Sequence, residues 1–302
     1  MTRNGLIRAT PIVFVAIWST GFIVARYGMP HAPPFGFLAL RYALSIVCFA
    51  LWIAVAHQWA GKVLWPVGRS QWRHLAVTGV LMHAGYLGGV WAAVKLGMGS
   101  GLSSLIVGFQ PVLTALWVSS LGSESRESII SRRQWAGLLL GLAGLILVVS
   151  HKFGAGGEIT LQSLACAITA LLSITAGTLY QKRFVQPCDV RSANTVQLAA
   201  ALLVTLPLVL LETEPMHWNS QLIGAMAWSV LGLTLGGSSL MFILIQRGAA
   251  TAVTSLLYLV PPTTALMAWA LFGEHITLAT IVGTALTALG VYWVVSTPKT
   301  AN

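Results

Sequence analysis

The sequence predicts an all-α integral membrane protein with ten transmembrane helices, arranged as two five-helix inverted repeats around a central cavity. Three observations predict it. Of 302 residues, 56% are hydrophobic and only 8% charged, with mean hydropathy +0.81. A water-soluble domain carries roughly 25% charged residues, so these charges are too few to cover a water-facing surface. Apolar runs of about bilayer length recur along the whole chain. The basic residues, finally, crowd into alternate connections.

The runs fall at 10–26, 34–56, 72–95, 99–121, 133–150, 161–181, 192–211, 220–246, 250–272 and 277–296. The first follows Arg3 and Arg8, as in a signal peptide. Arg26 closes it without a small-residue cleavage site, so it is expected to stay as a helix. The second carries Arg41 and the third His83. The fourth is interrupted by Pro111, and the fifth has Gly137, Gly141 and Gly144 near one face. Lys182, Arg183 and Arg191 separate the sixth from the seventh. The eighth is long and holds Ser238 and Ser239; the ninth contains Pro261 and Pro262; the tenth has Gly283 and Gly290. Several runs are short for a bilayer, which packing in a bundle and local thinning accommodate.

With the N-terminus in the cytoplasm and every run a crossing, thirteen of the seventeen Lys and Arg residues fall on the cytoplasmic side. Arg26, Lys95 and Lys152 fall opposite, and Arg41 lies within a span. Glu158, Glu212, Glu214 and Glu274 take the outer side. Both termini are then cytoplasmic, in a multi-pass protein of the cell membrane, the inner membrane in a bacterium. The net charge of +10 is met by an anionic lipid surface and not by nucleic acid, because the basic residues sit singly or in pairs between apolar runs. Cys48, Cys166 and Cys188 form no CxxC pair and suggest neither a disulfide frame nor a metal site.

The chain repeats itself. Gly97, Ser104-Leu105, Pro111, Thr114-Ala115-Leu116, Leu121 and Glu124 recur as Gly248, Ser255-Leu256, Pro261, Thr264-Ala265-Leu266, Leu271 and Glu274. Gly137, Leu140, Gly144 and Val148-Val149-Ser150 recur as Gly283, Leu286, Gly290 and Val294-Val295-Ser296. More weakly, Gly21 and Arg26 correspond to Gly177 and Lys182, and Arg41 falls opposite Gln197. The halves, 1–150 and 151–302, hold five runs each, and an odd number turns the second half upside down. Inverted halves are the architecture of secondary transporters, whose substrate lies between them near the midplane.

These residues resemble the drug/metabolite transporter superfamily, and within it proteins with two EamA domains. The carriers are Trp18-Ser19-Thr20-Gly21-Phe22, Arg41-Tyr42-Ala43, the Ser-Leu pair ahead of each proline, the Glu after each of those helices, and the spaced glycines. The resemblance implies ten helices around a central cavity and export of amino acids, nucleosides or other metabolites, though some members import. Small multidrug antiporters of the same superfamily use a membrane glutamate to exchange protons for cations. No Asp or Glu lies near the middle of any span here, so neutral, zwitterionic or anionic substrates are expected instead.

The candidate cavity residues are Trp18, Thr20, Arg41, His83, Tyr86, Trp91, Gln110, Tyr180, Ser239 and Tyr258. A charge at the depth of Arg41 is costly and faces a cavity or a partner. It either pairs with a substrate carboxylate or phosphate, or it is tied to headgroups or a neighbouring helix end. His83, Tyr86 and Val90 share a face by their spacing; the imidazole either carries a proton or is bonded to a backbone carbonyl. The aromatic residues suit planar or apolar substrates, while Trp near span ends otherwise forms interfacial belts. Hydroxyls such as Ser239 often bond only their own helix. Pro111, Pro261 and Pro262 remove backbone bonds, so their helices bend or break, as static kinks or as gates. No HExxH, GxSxG or P-loop motif occurs, so neither an enzyme nor a cofactor is expected. The expected partners are a small-molecule substrate and lipid. One chain can enclose the site, and a dimer stays open.

Overall fold

The computed structural model describes residues 3–60, 65–120, 132–154, 159–246 and 259–295, and these are helical with short connections. The α-helices are α1 (Arg3–Gly28), α2 (Pro34–Ala60), α3 (Gly68–Gly79), α4 (Tyr86–Lys95), α5 (Ser100–Val107), α6 (Gln110–Ser120), α7 (Arg132–Gly154) and α8 (Leu161–Phe184). They continue as α9 (Val190–Val209), α10 (Ser220–Trp228), α11 (Ser239–Gln246), α12 (Val260–Phe272) and α13 (Leu278–Val295). A π-helical segment, Val80–Gly85, joins α3 to α4, and a second, Ser229–Ser238, joins α10 to α11.

Among the described residues six continuous helices are long and apolar enough to cross a membrane: Pro34–Ala56, Gly68–Lys95, Arg132–His151, Leu161–Phe184, Val190–Val209 and Ser220–Gln246. Shorter apolar helices occupy Val13–Gly28, Ser100–Thr114, Val260–Phe272 and Leu278–Trp293. Exposed Leu51, Val55, Leu139, Leu203 and Leu231 point away from the bundle, which suits lipid as the outer solvent.

Helix ends are set by local chemistry. Thr160 caps α8 in a reciprocal box with Ser163, and Asn219 Oδ1 accepts from Leu222 N at 2.8 Å to cap α10. Gly273 ends α12 at φ 64°, where a side chain would be strained. Pro111 enters at the start of α6, after the turn at Gly108–Phe109 that separates α5 from α6. Pro261 and Pro262 sit in the first turn of α12, where a missing N–H removes no helical bond.

The most extensive packing is α7 against α13, followed by α2 against α9 and α4 against α8. In the first pair the backbones nearly touch: a Cβ on Gly144 would lie 2.5 Å from Gly283 O, and one on Gly290 would lie 2.8 Å from Gly141 Cα. Such small-residue seams hold helices together where lipid supplies no hydrophobic drive. Two ends of the bundle are recognisable. At one, Lys95 Nζ meets Glu214 at 2.6 Å and Met29 O at 2.9 Å, and His217 N donates to His31 O. At the other, Gln71 Nε2 donates to Gln186 O at 2.8 Å, and Gln246 Nε2 to Cys188 O at 3.0 Å.

Candidate substrate cleft

Between α1, α2, α4, α8, α9, α11 and the two π-helical segments lies a cleft with an empty volume of about 690 Å³, its open mouth included. Its wall is largely apolar, with a few convergent polar groups, the usual make-up of a small-molecule site. Of the residues singled out from sequence, Trp18, Arg41, His83, Tyr86 and Trp91 line it.

Arg41 comes from α2 and is 2% exposed. Its Nε donates to Thr234 Oγ1 at 3.1 Å, and Nη1 has no partner among the described residues. Thr234 is placed for this by the second π-helical segment, where its hydroxyl also donates to Ser229 O, five residues back. His83 lies in the first π-helical segment. Its backbone oxygen accepts from Tyr42 at 2.8 Å, and its side chain lines the cleft together with Gln197. Trp18 stacks on Tyr86 with centroids 6.3 Å apart and planes 4° apart. Trp91 is fully buried against Phe37 at 4.4 Å, which fixes the inner wall.

The other sequence candidates lie elsewhere. Thr20 accepts from Trp228 Nε1 at 2.8 Å and ties α1 to α10. Gln110 donates to Thr178 at 2.7 Å, joining α6 to α8. Tyr180 pairs with His74 Nδ1 at 2.8 Å. Ser239 is buried with an unpartnered hydroxyl, but it is its neighbour Ser238 that lines the cleft. Tyr258 and Glu124 lie outside the described residues.

The remaining polar lining comes from Gln181, Asn194 and Gln197, none of them a sequence candidate. Gln181 and Gln197 are each 3% exposed, and each has an unpartnered Nε2. Gln197 carried a usable signal, because it stands opposite Arg41 in the internal repeat. Among the described residues no three His, Cys, Asp or Glu side chains come together to hold a metal ion.

A membrane bundle around an apolar cleft with one buried cation defines a carrier of small molecules more readily than an enzyme. The chain belongs to the EamA-like transporter family, whose model matches residues 7–150 and again 161–296. It is thus a membrane transporter of the drug/metabolite type. It is 25% identical over 291 residues to a probable amino-acid metabolite efflux pump of Salmonella typhimurium, covering 93% of this chain and 92% of that one. It is 25% identical over 263 residues to an uncharacterized inner membrane transporter of Escherichia coli K12, covering 85% and 80%. An uncharacterized transporter of Archaeoglobus fulgidus is 23% identical over 287 residues, covering 91% and 92%. A solved crystal structure superposes with TM-score 0.64 at 21% identity, covering 94% of this chain and 95% of that one, and so shares the fold.

Proposed function

We propose that the protein is a secondary transporter that exports small organic metabolites, amino acids or related neutral, zwitterionic or anionic compounds, by alternating access. One observation carries the reading: the cleft is lined from both halves of the chain, by Arg41, His83 and Tyr86 on one side of the sequence midpoint and Gln181, Gln197 and Phe242 on the other. A site shared in this way changes its exposure when the halves rock.

Ten spans in two inverted repeats, 1–150 and 151–302, fit the helix contacts. If the spans are numbered along the chain, the main pairs packed between the halves are 1 with 8 and 9, 2 with 7 and 8, 3 with 6 and 7, 4 with 6 and 9, and 5 with 10. Exchanging each span with its counterpart five places on returns the same set of pairs. The glycine seam behaves likewise: Gly137 meets Gly290 and Gly144 meets Gly283, and the repeat exchanges these two contacts. Export is supported by the name of the Salmonella relative, and cytoplasmic termini by the distribution of basic residues.

Counterflow in proteoliposomes tests this. Vesicles loaded with an unlabelled amino or organic acid should take up the labelled compound saturably and faster than empty ones. Unsaturable flux, indifferent to the internal load, would rule out a carrier.

A further inference from the structure

We infer that the cleft selects a singly charged organic acid, its carboxylate seated on Arg41 and its body against the Trp18–Tyr86 stack. The inference rests on the transport reading above and narrows its substrate class.

Arg41 is a buried guanidinium whose charge nothing described neutralises. The four described acids are committed elsewhere. Glu212 accepts from Phe35 N and Gly36 N, at 2.9 and 2.7 Å. Glu214 pairs with Lys95 and Asp189 with Arg191, while Glu274 accepts from Ser100 N at 3.0 Å. A guanidinium does not give up its proton in a protein, and a buried charge without a partner is strongly destabilising. Thr234 supplies a hydrogen bond but no charge. The missing negative charge therefore comes with what enters the cleft.

Two further donors point the same way. Gln181 on α8 and Gln197 on α9 each leave a buried Nε2 unpartnered, as Arg41 on α2 leaves its Nη1. Three unmatched donors from three helices suit the four lone-pair positions of one carboxylate. An amide can turn to present its oxygen; the guanidinium cannot, so Arg41 sets the sign. One fixed charge matches a monoanion, whereas a dianionic phosphate leaves a charge unmet. Among the described residues no acid lines the cleft to receive an ammonium group. The rest of the wall, with Phe22, Met82, Leu233 and Phe242, is apolar. An acid without an amine therefore fits better than the corresponding amino acid.

The test uses the purified full-length protein in lipid nanodiscs and four probes of similar size: 3-phenylpropanoate, phenylalanine, phenethylamine and phenyl phosphate. 3-Phenylpropanoate should bind at least about tenfold more tightly than each of the others, the scale of one charged hydrogen bond left unmade. Arg41→Gln should abolish its binding, and Arg41→Lys should restore part of it. Because Arg41→Gln can fail to fold, Gln197→Glu is the decisive variant. Gln197 lines the same cleft as Arg41 from α9, which packs against α2, so a carboxylate there is an internal substitute for the ligand. This variant should keep or raise the thermal midpoint while weakening 3-phenylpropanoate about tenfold or more. Phenylalanine, phenethylamine or phenyl phosphate binding as well as the acid, no binding by any probe, or unchanged affinity in Gln197→Glu overturns the inference. Counterflow separates the two readings. Tight acid binding without counterflow sinks transport and leaves the site; saturable phenylalanine counterflow with weak acid binding sinks the site and leaves transport.

Discussion

Among the described residues, single polar side chains divide into those that hold helices together and those that leave a polar atom unpaired in the cleft. Asp189 belongs to the first kind. It caps α9 by accepting from Arg191 N at 2.9 Å, and it grips the same residue's guanidinium at 3.0 and 2.7 Å. These bonds hold its carboxyl below the usual carboxylate range. A depressed folded pKa means that its contribution is complete above the unfolded value of about 3.9 and is lost as pH falls through the folded one. Asp189→Asn keeps a competent cap but loses the ion pair with Arg191, so it should lower the thermal midpoint in detergent at neutral pH by the worth of such a pair, at most about 1 kcal/mol. The gap to the wild type should close below about pH 4, and an equal gap at pH 3 and pH 7 would contradict the linkage. The same division explains how much of the cleft is legible from sequence. Arg41, His83, Trp18, Tyr86 and Trp91 stand out because polar or bulky groups deep in apolar runs are conspicuous. Gln181 and Asn194 do not, because an amide near a helix end is ordinary until packing buries it. Thr20, Gln110 and Tyr180 look equally conspicuous, yet each spends its polar atom on a neighbouring helix.

At the scale of the element, the apolar runs translate into helices because lipid-facing backbone has to satisfy itself within the segment. The two π-helical segments are not legible, since a widened turn is settled by packing and not by composition. They stand at corresponding places: Thr234 lies as far beyond His83 as Gly248 lies beyond Gly97 and Ser255 beyond Ser104. One carries His83, which lines the cleft, and the other Thr234, which is bonded to Arg41, so each widened turn places a polar group in or beside the cleft. The α7–α13 seam gives the sharpest element-scale prediction. Gly290→Val would press side-chain atoms into the backbone of Gly141, where a Cβ alone would lie 2.8 Å from its Cα. Overpacking of a close seam costs about 1–3 kcal/mol, so the variant should lose folded yield and melt earlier by fluorescence size-exclusion. Gly224→Ala on α10 meets nothing within 4 Å and should match or exceed the wild type, because alanine favours a helix over glycine by about 1 kcal/mol. Equal stability of the two variants would mean that the seam is not a tight contact in the membrane.

The family model matches the chain twice, at 7–150 and 161–296, and the alternating access proposed for it requires that the fastening between these halves be released at one end. The end that holds Glu212, Glu214 and Glu274 is closed by bonds across the sequence midpoint. Glu212 receives the first amides of α2, Glu274 receives Ser100 N at the start of α5, and Glu214 holds Lys95 at the end of α4. Carboxylates on helix N-termini are favoured by exposed N–H groups and the helix dipole, each by up to about 1 kcal/mol at a surface. Glu212→Gln with Glu274→Gln keeps the shapes and removes both charges, so the balance should shift toward opening at this end. Val90 lines the cleft and is 3% exposed, which makes it a reporter of that opening. In a protein cleared of Cys48, Cys166 and Cys188, a cysteine at position 90 should react slowly with a membrane-impermeant thiol reagent applied to this face. The double substitution should speed the reaction, by about fivefold for each 1 kcal/mol removed from the closed state. Reaction from the opposite face should slow in step, since one population is drawn from the other. If both faces accelerate together, the substitutions have loosened the fold and not tipped a two-state balance. If neither changes, these carboxylates cap helices without holding the halves closed.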